Sequence, residues 1–392
     1  MTSDALRRID TLIQVGLRLA RTAPSGRIVL AQIARAIDLE WIPRPWGDEI
    51  AAELEAAAGK ARDPLPARAG ERALRDAWGA KPTDELDELD LEPVAITPTS
   101  QVHRGVLDGA PVAVKLLRPG LAASVRQDLV LLDGLLGPLG AAFPGIDPGA
   151  LIREVRKRVA DELDLEHEAS NQRRFHRALR THPYLTVPAP VTRLAHEGVL
   201  VSDWVEGVPI SSAPDADTAA ARLLVFVIGA ARFGVMHADP DPADVLVLPD
   251  GGLAILDFGA VRAVVPERVA SAQLALDAFA AEDAVELGGA LAKLGALPAS
   301  EGAAVTEVAR QILGELVGPG SARLDTPALI DARDRLIARP DPLLRLVLAG
   351  SLAPDDLWPA RGIGQLFGLI ARIGASGDWL ELARAALRDG WG

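Results

Sequence analysis

A short β-hairpin flanked by aspartates constrains this chain more than any other sequence feature. Two apolar segments are joined by the turn sequence PDGG, at residues 245–248 (VLVL) and 253–256 (LAIL). We predict that these strands pair with Val245 opposite Leu256, which brings Asp244 and Asp257 together at the open end. Two carboxylates this close repel each other unless a cation lies between them, and their oxygens suit Mg²⁺. The hairpin therefore predicts a magnesium site.

A third carboxylate precedes the hairpin in a proline-punctuated loop. Asp239 lies five residues before Asp244, and the hairpin is followed by Asp257-Phe258-Gly259. Protein kinases have the same order of features: an acid in a loop, a metal ligand five residues later, a hairpin and then Asp-Phe-Gly. The loop acid is their catalytic base, and the later residues bind magnesium. A solvated hairpin turn would explain the aspartates if they stood alone. Together with the lysine strand upstream, they indicate a kinase-like active site.

The lysine strand belongs to a predicted small sheet. Its three strands are predicted at residues 94–96, 101–107 and 111–117, with a hairpin turn at 107–110. Lys115 is the only charged residue among the apolar residues at the end of the third strand, where it can reach nucleotide phosphates. Taken alone, it would be read as a strand-end lysine whose ammonium reaches solvent.

A long acidic helix is predicted over residues 149–180. A kinase-like site needs a glutamate on this helix to hold Lys115, and we favour Glu168 over Glu162. On a regular helix Glu162 lies about 200° from Asp164, so both reach one site only if the helix is irregular there. A strand at residues 199–205 then leads to a hinge at Glu206-Gly207.

Composition excludes several classes of protein. With 392 residues, 49% of them hydrophobic, the chain is a folded globular protein long enough for two or three domains or lobes. A net charge of −13 argues against non-specific nucleic-acid binding, and the absence of cysteine excludes disulfides and thiolate metal sites. We find no secretory signal and no apolar run of membrane-spanning length, so we expect a cytoplasmic protein.

Helices are predicted on both sides of the kinase-like motifs. The helices we predict most clearly are at residues 4–21, 27–40, 47–59, 68–78 and 301–317. The first is basic and amphipathic, which leaves peripheral membrane contact open, although packing against its own protein is the favoured interpretation. Residues 361–374 are apolar but too short to span a bilayer, and we assign them to the core. The predicted domains are an N-terminal helical extension, an N-lobe and a helical C-lobe, at residues 1–91, 92–206 and 207–392.

In these motifs the chain resembles the ABC1 family of atypical kinases, also called the UbiB or AarF family, over roughly residues 25–290. The residues that carry the resemblance are 101–104 (QVHR), 108–109 (DG), 112–115 (VAVK), 118–120 (RPG), 162–164 (ELD), 168–171 (EASN), 237–240 (HADP) and 256–259 (LDFG). The resemblance implies an α+β fold that is bilobal and protein-kinase-like, with a small β-rich N-lobe, a mostly helical C-lobe and an N-terminal helical extension. It also implies Mg-ATP binding, ATPase or kinase-like activity, and a role in isoprenoid-quinone or other lipid metabolism.

The resemblance further implies a set of site residues. Carried over residue by residue, these are a catalytic acid or base at Asp239, magnesium ligands at Asp257 and Asp244, and nucleotide contacts from Lys115, Glu168, Gln101, His103, Glu162 and Asp164. The expected cofactors are ATP and Mg²⁺. The expected partners are a nucleotide and an isoprenoid or other lipid small molecule.

Three positions depart from the family's pattern. Asp244 replaces the metal-binding asparagine of the family, Pro98 lies in the nucleotide loop at 95–100, and the extension's Lys-x-Gly-Gln motif keeps only Gln32. Pro98 removes a backbone donor, and Asp244 adds a negative charge beside phosphates. Two alternatives therefore stay open: a nucleotide-binding pseudokinase that scaffolds a biosynthetic complex, and a small-molecule phosphotransferase of the aminoglycoside-kinase type.

Overall fold

The computed structural model describes residues 2–22, 46–61, 63–161, 163–351 and 353–392. It contains one β-rich lobe and one mostly helical lobe, so the predicted α+β, bilobal, kinase-like fold is confirmed. The helix predicted at 27–40 and the motif that contains Gln32 lie outside the described residues. No helix within the described ranges is long and apolar enough to cross a membrane.

The strands form two larger sheets and two small ribbons. Their bounds are Glu88–Leu89 (β1), Ala95–Ile96 (β2), Ser100–Leu107 (β3), Ala110–Leu117 (β4), Leu185–Thr186 (β5), Val199–Asp203 (β6), Val208–Pro209 (β7), Val235–His237 (β8), Val245–Val247 (β9), Leu253–Ile255 (β10), Val261–Ala263 (β11), Ala322–Leu324 (β12) and Ala375–Gly377 (β13). The small-lobe sheet has the order β1-β3-β4-β6, with β2 also on β3, and the second sheet has the order β5-β10-β9-β7.

Helices make up most of the rest of the described chain. Their bounds are Thr2–Thr22 (α1), Trp46–Ala61 (α2), Ala67–Trp78 (α3), Pro82–Glu85 (α4), Leu121–Asp128 (α5), Leu136–Ala142 (α6), Pro148–Asp161 (α7), Leu165–Leu179 (α8), Ala216–Gly229 (α9), Pro266–Ala280 (α10), Ala284–Lys293 (α11), Gly302–Leu313 (α12), Thr326–Ala338 (α13), Asp341–Ala349 (α14), Leu357–Ile373 (α15) and Trp379–Asp389 (α16). The predicted helices at 4–21, 47–59 and 68–78 correspond to α1, α2 and α3.

The small-lobe sheet is built on the hairpin of β3 and β4. Asp108 and Gly109 at its turn both have positive φ, of 51° and 77°, as a type I′ turn requires. One face of the sheet packs against α3, where Leu74 is buried with Val114 and Leu116. Lys115 projects from the other face, because neighbouring strand residues alternate between faces. The sheet therefore directs this lysine towards the rest of the site.

The prediction of one continuous helix over 149–180 is wrong. The helix ends at Asp161 and a second one begins at Leu165. Asp164 has extended backbone angles, and its carboxylate accepts hydrogen bonds from the backbone N–H groups of Glu166 and His167. An aspartate in this position caps a new helix because it satisfies backbone donors that lack a partner at a helix start. The cap fixes the start of α8, one turn before Glu168.

The predicted register of the central hairpin is also wrong, by one residue. Val245 pairs with Ile255, and the N–H of Leu256 donates to the carbonyl of Asp244. The turn closes with Gly251 N–H donating to the Leu248 carbonyl, and Gly251 has a φ of 82°. Leu248 N–H also donates to the Gly252 carbonyl, so the loop consists of the three residues 249–251. Glycine at its third position adopts the positive φ that such loops need, and the loop is one residue shorter than predicted, which shifts the pairing. Asp244 therefore lies opposite Leu256 and diagonal to Asp257.

The large-lobe core surrounds the phenylalanine that follows Asp257. The Phe258 ring lies 5.0 Å from that of Phe175, which in turn lies 5.6 Å from both Phe226 and Trp391. The apolar stretch at 361–374 belongs to α15 and contributes buried residues to this core, as predicted: Leu366, Leu369 and Ile370. The large-lobe core therefore holds the segment that carries Asp257 in place through Phe258.

Candidate active site

Lys115 lies at the centre of an ion-pair cluster between the two lobes. Its Nζ is 2.9 Å from both carboxylate oxygens of Glu168 and 2.6 Å from Oδ2 of Asp257. Glu168 is 1% exposed, so its negative charge is stabilised mainly by Lys115 and not by solvent. The structure thus brings Lys115 together with two residues that lie 53 and 142 positions from it in the chain.

The charges in this cluster are strongly coupled. Burial alone would lower the pKa of Lys115, but the charges of Asp257 and Glu168 outweigh it and hold the pKa well above its usual value. Burial and the charge of Asp257 raise the pKa of Glu168 to about 7. Burial also opposes ionisation of Asp257, yet Lys115 brings its pKa down to about 2. Lys115 is therefore a fixed cation and Asp257 a fixed anion.

Helix α8 and the Asp257 segment are held to each other by the residues beside the cluster. The Asn171 amide donates to the Phe258 carbonyl at 3.1 Å, and the N–H of Phe258 lies 3.4 Å from Oε1 of Glu168. The N–H of Gly259 donates to Oδ1 of Asp257 at 3.0 Å. Both oxygens of Asp257 are therefore engaged, and a metal at Oδ2 would replace the ammonium of Lys115.

Asp239 is paired with an arginine that the sequence did not reveal. Nη2 of Arg361 lies 2.8 Å from Oδ2 of Asp239, and the two side chains are 1% and 13% exposed. Oδ1 of Asp239 is buried and accepts no hydrogen bond from the described residues. One oxygen of this carboxylate is thus held by a buried cation, and the other is available as an acceptor.

Close packing of α15 against the loop that carries Asp239 creates this pair. A Cβ at Gly362 would come within 2.6 Å of the His237 carbonyl oxygen, so only glycine permits the approach. The guanidinium of Arg361 also lies over the ring of Trp358, which packs with Ala238. Arg361 was missed because it follows Asp239 by 122 positions and lies in a stretch that reads as apolar core. No local pattern links the two residues.

His237 connects the loop that carries Asp239 to the Asp257 segment. Its Nε2 donates to the Asp257 carbonyl at 2.7 Å, and its Nδ1 faces the N–H of Asp239 at 3.4 Å. Burial lowers the pKa of His237, which favours the neutral ring that this arrangement uses. The histidine therefore sets the backbone spacing between Asp239 and Asp257.

Asp244 adds a further carboxylate beside Asp257. Burial and the negative charge of Asp257 raise the pKa of Asp244 well above its usual value. Two half-buried carboxylates that destabilise each other in this way fit a divalent cation, which would offset their repulsion. Within the described ranges no group of three or more His, Asp or Glu side chains forms a ready metal site. Mg²⁺ characteristically uses one or two carboxylates and completes its shell with phosphates and water.

Known proteins share this arrangement of motifs. A family model described as the ABC1 atypical kinase-like domain matches residues 60–288, more than half of the chain. The chain belongs to the ABC1 family. This match confirms the resemblance drawn from the motifs.

Curated relatives of this ABC1 chain include bacterial and plant proteins. It is 28% identical over 220 residues to a "Probable protein kinase UbiB" of Marinobacter nauticus, an alignment that covers 52% of the chain and 40% of the relative. It is 32% identical over 186 residues to "Protein ACTIVITY OF BC1 COMPLEX KINASE 3, chloroplastic" of Arabidopsis thaliana, covering 44% and 26%. The chain thus spans less than half the length of these two relatives.

A solved structure matches nearly the whole ABC1 chain. It is the complex of Rv3197 with erythromycin from Mycobacterium tuberculosis, with a TM-score of 0.68 and 24% identity. The match covers 97% of this chain and 96% of that one. At this identity the likeness establishes the fold alone.

Two residues of the ABC1 signature lie on the far side of the small sheet from Lys115. Gln101 and His103 pair with Leu116 and Val114, whereas Lys115 pairs with Val102, so the two sets face opposite sides. Gln101 is 1% exposed and accepts from the Leu65 N–H, and its amide nitrogen lies 2.6 Å from Nε2 of His103. The structure does not bring these residues to the carboxylates. Their contacts tie the segment before α3 to the sheet.

Of the other two signature residues, Asp164 lies at the start of α8. Asp164 caps this helix through one carboxylate oxygen, which accepts hydrogen bonds from Glu166 and His167. Glu162 lies outside the described residues. The helix is interrupted at this point, which is the condition under which both residues could reach one site. Their part in nucleotide binding stays a prediction.

The predicted nucleotide loop of this ABC1 chain is a tight turn between β2 and β3. Oγ1 of Thr97 accepts from the N–H groups of Thr99 and Ser100 at 3.3 and 2.9 Å, and Pro98 has no N–H. The N–H of Thr97 donates to the Ser100 carbonyl at 2.8 Å. Backbone donors at residues 97–100 are therefore used inside the loop, whereas a glycine-rich loop directs such donors at phosphates. Phosphate recognition would depend on side chains, above all Lys115.

Proposed function

We propose that this chain binds a magnesium nucleotide between its lobes and acts as an ABC1-type ATPase or kinase that supports isoprenoid-quinone or other lipid metabolism. The observation that carries the proposal is the contact of Lys115 with both Glu168 and Asp257, at 2.6–2.9 Å. A kinase needs the lysine, the helix glutamate and the metal-binding aspartate in this arrangement. The fold and the family membership would not by themselves support this function, because function depends on the residues of the site.

Each side chain has a chemical task in this proposal. Lys115, held by Glu168, would bind nucleotide phosphates, and Asp257 with Asp244 would hold Mg²⁺. When bound, Mg²⁺ would neutralise charge on the phosphates. Asp239 would accept the proton of the attacking water or hydroxyl at Oδ1, while Arg361 keeps its other oxygen in place.

Thermal unfolding with ATP or ADP, each with and without Mg²⁺, tests the proposal. A ligand that binds only the folded protein raises the midpoint by mass action. We expect a rise with both nucleotides that requires Mg²⁺. The same midpoint with and without millimolar nucleotide would contradict the proposal.

The second candidate function is a pseudokinase scaffold. It is favoured by the nucleotide loop, whose backbone donors at Thr99 and Ser100 are already taken, and by the extra charge of Asp244. An unchanged midpoint in the thermal experiment would support this candidate and direct the search to protein partners.

Asp244→Asn is expected to raise any ATPase rate several-fold. The substitution keeps one metal-binding oxygen and removes a half-buried negative charge that repels Asp257 and the nucleotide phosphates. The rate of phosphate release at saturating Mg-ATP measures the effect. Asp250→Asn, in the exposed turn of the same hairpin, is the matched control and should leave the rate unchanged. A lower rate in Asp244→Asn would mean that the chemistry uses this aspartate's charge.

A further inference from the structure

The outward face of α8 carries a cluster that the proposed function does not use. We call it the arginine groove, an open depression of about 660 Å³ lined by Ser170, Arg173, Arg174, Arg177 and Ala178. The polar members are spaced as one face of a helix, at positions i, i+3, i+4 and i+7. The inward face of the same helix carries the buried residues Glu168 and Gln172.

The positive charges of the groove are not neutralised by the protein. Among the described residues, no Asp or Glu forms an ion pair with Arg173, Arg174 or Arg177. Neighbouring surface arginines do pair with acids, as Arg126 does with Glu197 at 2.7 Å and Arg193 with Glu85 at 2.6 Å. In a chain with a net charge of −13, three arginines without a paired acid are a local reversal of charge.

Two of the guanidinium groups are held in place by hydrogen bonds to neutral acceptors. Arg173 donates to Oγ1 of Thr192 at 3.0 Å, and Arg174 donates to the Phe233 carbonyl at 2.9 Å. A guanidinium has five N–H donors, so each tether leaves several for a ligand. Thr192 lies beside the small-lobe core and the Phe233 ring stacks on Trp391 of the large-lobe core, so the groove spans both lobes.

We propose that the arginine groove binds a phosphate group, carried either by a free phosphate compound or by the headgroup of an acidic phospholipid. Arginine forks match phosphate oxygens in pairs and stay charged at every physiological pH. The exposed hydroxyl of Ser170 supplies a further donor. This site is distinct from the one at Lys115, because Ser170 lies about 200° around the helix from Glu168.

Calorimetric titration of pyrophosphate into the metal-free full chain tests the proposal. Arg174→Gln with Arg177→Gln should weaken binding at least about tenfold, since charge-assisted hydrogen bonds are lost. Arg72→Gln with Arg75→Gln removes the same charge from the exposed face of α3 and should change binding little. Arg177→Glu alone is a second groove variant that keeps the hydrogen bond of Arg174 to the Phe233 carbonyl. It should also weaken binding, and a loss of binding in this variant cannot be attributed to the loss of that hydrogen bond.

Sedimentation with phosphatidylcholine vesicles, with and without phosphatidylglycerol, distinguishes the two sources of phosphate. Pyrophosphate binding that is lost in the groove variants supports a free phosphate compound. Vesicle binding that requires phosphatidylglycerol and the groove arginines, without pyrophosphate binding, supports a lipid headgroup. The proposal is overturned if neither probe binds, or if the α3 control weakens binding as much as the groove variants do.

Discussion

Asp257→Ala is expected to abolish magnesium-dependent binding of nucleotide. Asp257 is the carboxylate that Lys115 holds ionised, with its pKa lowered to about 2, so it presents a full negative charge to a metal at neutral pH. At free ligand 100 times Kd, binding stabilises the folded protein by about 2.7 kcal/mol, and all of this should disappear in the variant. The midpoint of thermal unfolding with Mg-ATP measures the loss.

A second variant separates loss of the charge from loss of the fold. Asp257→Asn keeps a side-chain oxygen for the Gly259 N–H but has no charge, so it should also lose the magnesium-dependent shift. Both variants should keep the contact between Lys115 and Glu168, and their circular dichroism without ligand should match that of the wild type. A magnesium-dependent shift of unchanged size in both variants would remove Asp257 from the metal site.

Arg361→Ala is expected to destabilise the protein by about 3–5 kcal/mol, because it leaves the buried charge of Asp239 without its partner. It should also lower any ATPase rate, since the Asp239 carboxylate would no longer be held in one orientation. Denaturant unfolding measures the stability. Arg345→Ala is the matched control: its arginine is 63% exposed and pairs with Glu301, so its removal should cost about 0–1 kcal/mol.

A double-mutant cycle tests whether the cost of Arg361→Ala comes from Asp239. In an Asp239→Ala background, Arg361→Ala should destabilise the protein much less, because no uncompensated carboxylate remains. An equal cost in both backgrounds would mean that Arg361 acts through packing against Trp358 and not through Asp239.

Local patterns in the sequence determined the fold class and most of the site. The apolar run around Lys115 predicts a strand, and the turn residues Asp108 and Gly109 close the hairpin. The order of Asp239, Asp244 and Asp257 indicates a kinase-like site. These features depend on residues a few positions apart, so the sequence displays them directly. The choice of Glu168 as the partner of Lys115 rests instead on what a kinase-like site requires of this helix, and it agrees with the structure although the two residues are 53 positions apart.

The tertiary structure decided two kinds of feature: contacts between segments that are distant in the chain, and details of register that change with a shift of one residue. The three-residue loop that ends at Gly251 places Asp244 opposite Leu256 instead of Asp257, and the cap at Asp164 interrupts a pattern that reads as one helix. Gln101 lies on the strand that pairs with the strand of Lys115, but the register puts the two side chains on opposite faces of the sheet. Arg361 reaches Asp239 only because α15 packs, at Gly362, against the loop that carries Asp239. The hydrophobic periodicity of the sequence shows which residues face the core. The partner of a buried charge depends on how elements distant in the chain pack together, which that periodicity does not show.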